Sequence, residues 1–354
     1  MSRMEQGRFY VLKSCSGSLD HTNLGNVMPY EALSSCSKIQ ALRICLRSLA
    51  LLVLLGSCKG GTDASSSGIP INTATGLSDT PFISGDGQRL YFTYSRYDFG
   101  QWFISGGAQP PVLSGPDRTG LRHSANPFDE SDIYVATRNP DGTWSQAVNL
   151  GLNGAYGDSG GMEINGGNTF VWVQGNGTAS NVVMANRNPD GTWGSAVDPG
   201  PGINDHSAGA LQDGPKLSVD GKTLWFTSDR PSGHGGRDIW FSSNSSGSWS
   251  APANVGAPVN TAGDEGWFWL SPGGSDLYWN GPAGIMHCFS TGSTCSGTPD
   301  AVTIPGCTLP SAVSITDDGQ SMYFACRVPE TGRMKIMFSV KQDSGSWGVA
   351  HFVD

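Results

Sequence analysis

The residues best suited to chemistry in this chain are carboxylates that recur ahead of short turn signals. Asp79, Asp158, Asp213, Asp264 and Glu265 precede Gly-rich turns, and Asp79 and Asp213 each stand five residues before a matching serine, Ser84 and Ser218. Carboxylates gathered in one place can bind a polar ligand or a cation, with calcium the candidate. Taken singly, an Asp in such a place is also ordinary turn chemistry, because its side chain bonds nearby backbone. Paired acids serve glycoside hydrolysis too, one protonating the leaving oxygen while the other acts as base or nucleophile. Asp79, Glu163, Asp213, Asp264 and Glu265 could supply such a set, but none of them sits in a glycosidase motif. A second concentration of reactive types, Trp102, Arg118, Arg122, His123, Asp129 and Glu130, falls in one long segment, Tyr94–Glu130.

Other local patterns carry less. Gly157-Asp-Ser-Gly-Gly161 spells a serine-protease nucleophile motif, yet no segment supplies the base and orienting acid that a triad needs. Its glycines suit a tight turn. His123, His206, His234 and His287 show no metal-ligand spacing, and Gly233-His-Gly-Gly236 lacks the Lys-Ser/Thr of a phosphate loop. Beyond residue 58 the cysteines are Cys288, Cys295, Cys307 and Cys326. Three pairings are open to them. Cys288 with Cys295 is favoured because the two flank a predicted hairpin tip, Phe289–Thr294, which leaves Cys307 with Cys326. A zinc site is the rival, but the spacings match no common pattern.

The elements that must position these residues come from a repeat. In Pro215–Asn260, the runs Lys216–Val219 and Thr223–Thr227 are joined by Asp220-Gly221, a dipeptide that accepts the positive φ of a hairpin turn. A third run, Asp238–Ser242, and a fourth around Trp249 complete a four-stranded meander. One copy is too short to bury both faces and must stack on its neighbours. The hairpin signal recurs before Leu90-Tyr-Phe92, Phe170-Val-Trp172, Leu224-Trp-Phe226, Leu277-Tyr-Trp279 and Met322-Tyr-Phe324. The third strand recurs at Asp132-Ile-Tyr134, Asn181-Val-Val183, Asp238-Ile-Trp240, Gly284-Ile-Met286 and Lys335-Ile-Met337. Fourth-strand tryptophans stand at Trp144, Trp193, Trp249 and Trp347, and the fourth copy lacks its own. Five repeats are expected, hence an all-β fold: a single β-propeller of five four-stranded blades.

Ser228-Asp-Arg-Pro231, Gly235-Gly-Arg-Asp-Ile-Trp240, Trp249-Ser-Ala-Pro252 and Asn254-Val-Gly256 together resemble the WD40-like (PD40) propeller repeats of the TolB type. The third repeat matches closely, the first and second well, and the fourth and fifth in outline, over about residues 78–354. The resemblance implies a β-propeller and an exported setting, and no particular reaction. The six blades and extra domain of TolB itself are not visible here. From Phe92 to Ile133 is 41 residues, against 13 from Phe226 to Ile239, so blade one carries an insertion at 94–130. Up-and-down strand order puts this insertion on the same face as the inter-blade connections that bear Asp79, Asp213, Asp264 and Glu265. Trp102, Arg122 and His123 would then meet those acids at one channel mouth. Residues Ile69–Asn72 are a candidate outer strand for the last blade.

At the N-terminus, Lys38, Arg43 and Arg47 precede the apolar run Ser48–Leu55, too short to span a bilayer and right for a signal-peptide core. Leu55-Gly56-Ser57-Cys58 resembles a bacterial lipobox, which implies lipid attachment at Cys58. Lys59 after it implies the outer membrane, by resemblance to Gram-negative lipoproteins. The expected layout is a signal peptide over 1–57 (with Met28 as an alternative start), a flexible tether over 58–77 and the propeller over 78–354. Residues 1–57 hold six of the 21 basic and three of the 30 acidic residues, which leaves 15 against 27 and a net charge of −12. With no basic run after Cys58, nucleic acid is not an expected partner. The expectation is an envelope lipoprotein that binds or scaffolds an envelope protein or glycan through its channel face and touches the membrane only through its lipid. The alternative is a five-bladed-propeller glycoside hydrolase or related carbohydrate-active enzyme.

Overall fold

In a computed structural model of the chain, residues 68–74, 76–99, 113, 130–152, 156–175, 178–207, 209–291 and 294–354 are described. They form five antiparallel sheets. Blade one is β1 (Leu77–Ile83), β2 (Arg89–Ser95), β3 (Asp132–Thr137) and β4 (Val148–Asn149); blade two is β5 (Gly157–Ile164), β6 (Thr169–Gly175) and β7 (Ser180–Asn186). Blade three is β8 (Gln212–Leu217), β9 (Thr223–Ser228), β10 (Asp238–Ser243) and β11 (Ala253–Asn254). Blade four is β12 (Gly266–Leu270), β13 (Asp276–Gly281), β14 (Gly284–Thr291) and β15 (Thr294–Ala301), and blade five is β16 (Ser311–Ile315), β17 (Ser321–Arg327), β18 (Met334–Val340) and β19 (His351–Phe352). The innermost strands β1, β5, β8, β12 and β16 contact one another in turn and close a ring. The molecule is a five-bladed β-propeller. In blade two the fourth strand shrinks to one bridge, Met184 with Val197.

The repeated residues do repeated jobs. In the first hairpin of blades one, three and five, a Ser or Thr hydroxyl bonds an Asp two residues on: Ser84 to Asp86 at 2.5 Å, Ser218 to Asp220 at 2.6 Å and Thr316 to Asp318 at 2.6 Å. The glycine that follows has φ near +70° in each, a conformation open to Gly at no steric cost. The third-strand residues Ile133, Val182, Ile239, Ile285 and Ile336 are all at most 3% exposed and form the core between blades. Trp144, Trp193, Trp249 and Trp347 occupy equivalent places, each bridged to the residue after the third strand. Trp144 meets Tyr323 of blade five edge-on, and Trp347 meets Tyr278 of blade four in the same way. Each of these two tryptophans thus seals its blade against the one before it.

Closure uses the start of the propeller to complete its end. Asn204 grips the backbone of Val182, and Asn260 grips that of Ile239, through paired bonds of 2.9 Å. In blade five the matching residue, Ile336, is gripped by Asn72, which also donates to the Val353 carbonyl at 2.9 Å. The segment Ile69–Asn72 therefore adds no outer strand to blade five. Ile69 pairs with Ala147 of blade one, while the Asn72 side chain reaches across to blade five and Ile69 and Ile71 share a core with Ile336 and Val353. Ile69 and Ile71 are 2% and 3% exposed, so the end of the expected tether is propeller core. The two disulfides are Cys288–Cys295 and Cys307–Cys326, with Cα–Cα distances of 5.8 and 6.0 Å. The signal segment, Cys58, and the insertion residues Trp102, Arg122 and His123 lie outside the described residues.

Candidate functional site at the channel mouth

Each inner strand breaks register once, and the five breaks line up. They fall between Asp79 and Phe82, Ser159 and Met162, Asp213 and Lys216, Gly266 and Trp269, and Ser311 and Ser314. The second residue of each bulge has a positive φ: Thr80 47°, Gly160 42°, Gly214 52°, Trp267 44° and Ala312 54°. Bulges bend a strand and re-aim its side chains. Glycine adopts this conformation freely at two of the places, whereas Thr80 and Trp267 hold it against steric preference. Between the strands lies a cavity of about 40 Å³, lined by three residues from each blade. That volume holds a few waters. Asp79 and Asp213 occupy the same bulge position on blades one and three, at the end where the blade-one insertion leaves the sheet.

These two carboxylates are held in an unusual state. Asp79 accepts a hydrogen bond from the Thr80 N–H at 2.7 Å, and Asp213 one from the Gly214 N–H at 2.7 Å. No further hydrogen bond or ion pair to either is formed among the described residues. Gly160 of blade two lies between them: a Cβ there would stand 3.8 Å from Asp213 Oδ1 and 3.9 Å from the Thr80 Cβ. Both acids are half-buried by surface, yet protein surrounds them. Burial pushes Asp79 up to about 6 against the pull of its Thr80 bond, and Asp213 and Asp98 push the same way. Burial also raises Asp213, while the positive charge of Arg237 and the Gly214 N–H draw it back.

The other candidate acids are committed. Glu163 is bound bidentately by Arg89 of blade one, at 2.6 and 2.8 Å, and takes a bond from the Tyr91 hydroxyl. Glu265, 2% exposed, takes the Thr261 N–H at 3.0 Å and the Thr261 hydroxyl at 2.5 Å. Asp158 accepts from Trp172 and Gln174 at 2.8 and 2.9 Å. Asp264 is exposed at the rim, where it accepts the Arg237 N–H at 2.8 Å. Among the described residues no group of three or more His, Cys, Asp or Glu side chains suits a metal ion. Two carboxylates fall short of the six to eight oxygens that calcium usually takes.

Lys216 escaped the sequence reading. Its signal was present in the repeat: aligning Pro215-Lys216 on Pro81-Phe82 shows a lysine where the other blades place Phe82, Met162, Trp269 and Ser314.

No protein-family profile and no curated protein matches the chain. Solved structures do show similarity. TolB from Acinetobacter baumannii is 14% identical with a TM-score of 0.42, over 77% of this chain and 67% of that one. A structure designated TolB from Agrobacterium tumefaciens is 13% identical with a TM-score of 0.44, over 80% and 82%. A periplasmic gluconolactonase from Pseudomonas aeruginosa is 11% identical with a TM-score of 0.38, over 77% and 84%. The five sheets closed into a ring make the chain a five-bladed β-propeller.

Proposed function

We propose that this protein is a binding or scaffold module of the bacterial cell envelope, tethered through lipid on Cys58 and working through the channel mouth lined by Asp79 and Asp213. The observation that carries the reading is the contrast among its acids. Asp158, Glu163 and Glu265 are bound to protein donors, whereas Asp79 and Asp213 keep only a neighbouring N–H and lie near each other across Gly160. Half-buried carboxylates without a partner weaken a fold, so their place at the mouth favours a role in recognition. Support for hydrolysis of a glycoside is weaker. Two of the five acids that it would draw on, Glu163 and Glu265, are engaged in structural bonds, and the cavity of about 40 Å³ is far below a sugar-binding cleft.

The test is a thermal-shift survey of cations, amines and envelope glycans on the wild type and on the Asp79→Asn/Asp213→Asn double variant. A ligand that stabilises the wild type and not the double variant is expected. Equal responses from the two proteins across the whole survey would remove the mouth as the site. The tether is tested separately: Cys58→Ser should release the protein from membranes or block its processing, and unchanged mass and fractionation would exclude the anchor.

A further inference from the structure

Among the described residues that line the cavity between the inner strands, Lys216 is the one charged side chain. It stands at the inner end of the blade-three bulge, level with Phe82, Met162, Trp269 and Ser314. Its Nζ lies 5.3 Å from the centre of the Phe82 ring on blade one and 5.8 Å from that of Trp269 on blade four. A group that near to rings on two other blades is held out over the bore, not against its own strand. Lys216 makes no hydrogen bond or ion pair among the described residues, and Asp317 acts on it only from a distance. Burial draws the ammonium down to about 8. Its three N–H donors meet the cavity of about 40 Å³ that Phe82, Trp269 and Ser314 line with it.

We propose that this end of the channel is a binding site for one small carboxylate, held by the Lys216 ammonium between the rings of Phe82 and Trp269. The aromatic faces hold the cation in place, and a charge-assisted bond satisfies donors that otherwise have only water. The cavity admits a group the size of formate or acetate. Asp79, Asp213 and Asp317, the acids around the channel, weigh against a dianion. The site does not depend on the mouth, so either reading can fail alone. Binding favours the charged ammonium, so affinity should weaken about tenfold for each pH unit once Lys216 deprotonates. Protonation of Asp79 should strengthen it at lower pH.

The experiment is carbamylation by cyanate, a reagent small enough for the bore, whose conjugate acid adds to a neutral amine without a leaving group. Peptide mass spectrometry reads Lys216 against exposed Lys222. Formate should slow labelling of Lys216 several-fold and leave Lys222 unchanged, and benzoate should slow neither. An acetylated, amidated Gly-Asp-Gly peptide separates the sources: protection by it as well as by formate identifies a side chain of an inserted partner, and protection by formate alone a free acid. In parallel, Lys216→Met keeps the apolar contact with both rings and should lose the rise in Tm that formate gives the wild type. Asp79→Asn should retain that rise. Equal protection of Lys222, or an undiminished formate response in Lys216→Met, would overturn the proposal.

Discussion

Glu163 and Asp79 are acids on neighbouring inner strands, and the protein treats them in opposite ways. Glu163, next to the last residue of β5, has both oxygens filled by Arg89 and Tyr91, which fastens blade two to blade one. Asp79, near the start of β1, receives one N–H from its own neighbour and faces a second carboxylate across Gly160. Residue type alone does not distinguish these two places. The difference lies in the donors that the next blade brings, and it separates an acid that builds the ring from one the ring must tolerate.

The comparison breaks most sharply at Glu163. Glu163→Ala leaves Arg89 and Tyr91 without an acceptor and should cost about 3 kcal/mol, read from urea unfolding, with Arg89→Ala adding much less on that background. Full additivity of the two substitutions would mean that the lock contributes nothing as a pair. Asp79→Asn should act in the other direction. The folded-state pKa lies above the ordinary carboxylate value, so the carboxyl supports the fold below about pH 4 and loses that contribution as pH rises through about 6. At pH 7.5 the asparagine variant should be more stable by about 1–3 kcal/mol, and the gain should vanish near pH 4. A variant less stable than the wild type at pH 7.5 would show Asp79 to be structural. The smallest effect belongs to the rim. Asp264→Ala removes an exposed acid whose Arg237 side-chain contact is 3.8 Å, and stability should change by about 0.5 kcal/mol or less.

The sequence shows the five blades because each carries a hairpin turn and the same third strand, and four of them the same tryptophan, all of which are local. Asp79 and Asp213 could be paired from sequence for the same reason, since each keeps its distance from a repeated serine. What happens to an acid afterwards is not local. Arg89 lies 74 residues from Glu163, and no repeat spacing links them. Thr80 and Trp267 do not advertise a left-handed backbone, so the bulges of blades one and four, and with them the setting of Asp79, were not legible. The closure was legible in principle. Ile71-Asn72, Ile203-Asn204 and Val259-Asn260 are the same signal, but the first lies ahead of the first blade, where it reads as linker.

That asparagine also sets the order of assembly. Asn72 and its partners Ile336 and Val353 are separated by 264 and 281 residues, nearly the whole length of the ring. Blades two to four can each find their strands within a short stretch of chain, but the seam joins the earliest part of the propeller to the last. Contacts of such long separation form late, because the entropy of closing the loop is repaid only when the intervening structure is in place. A chain crossing a membrane N-terminus first would carry Asn72 out early and hold it without a partner until Val353 followed. Any cleavage near residue 353 before that moment would leave every blade formed and the ring open.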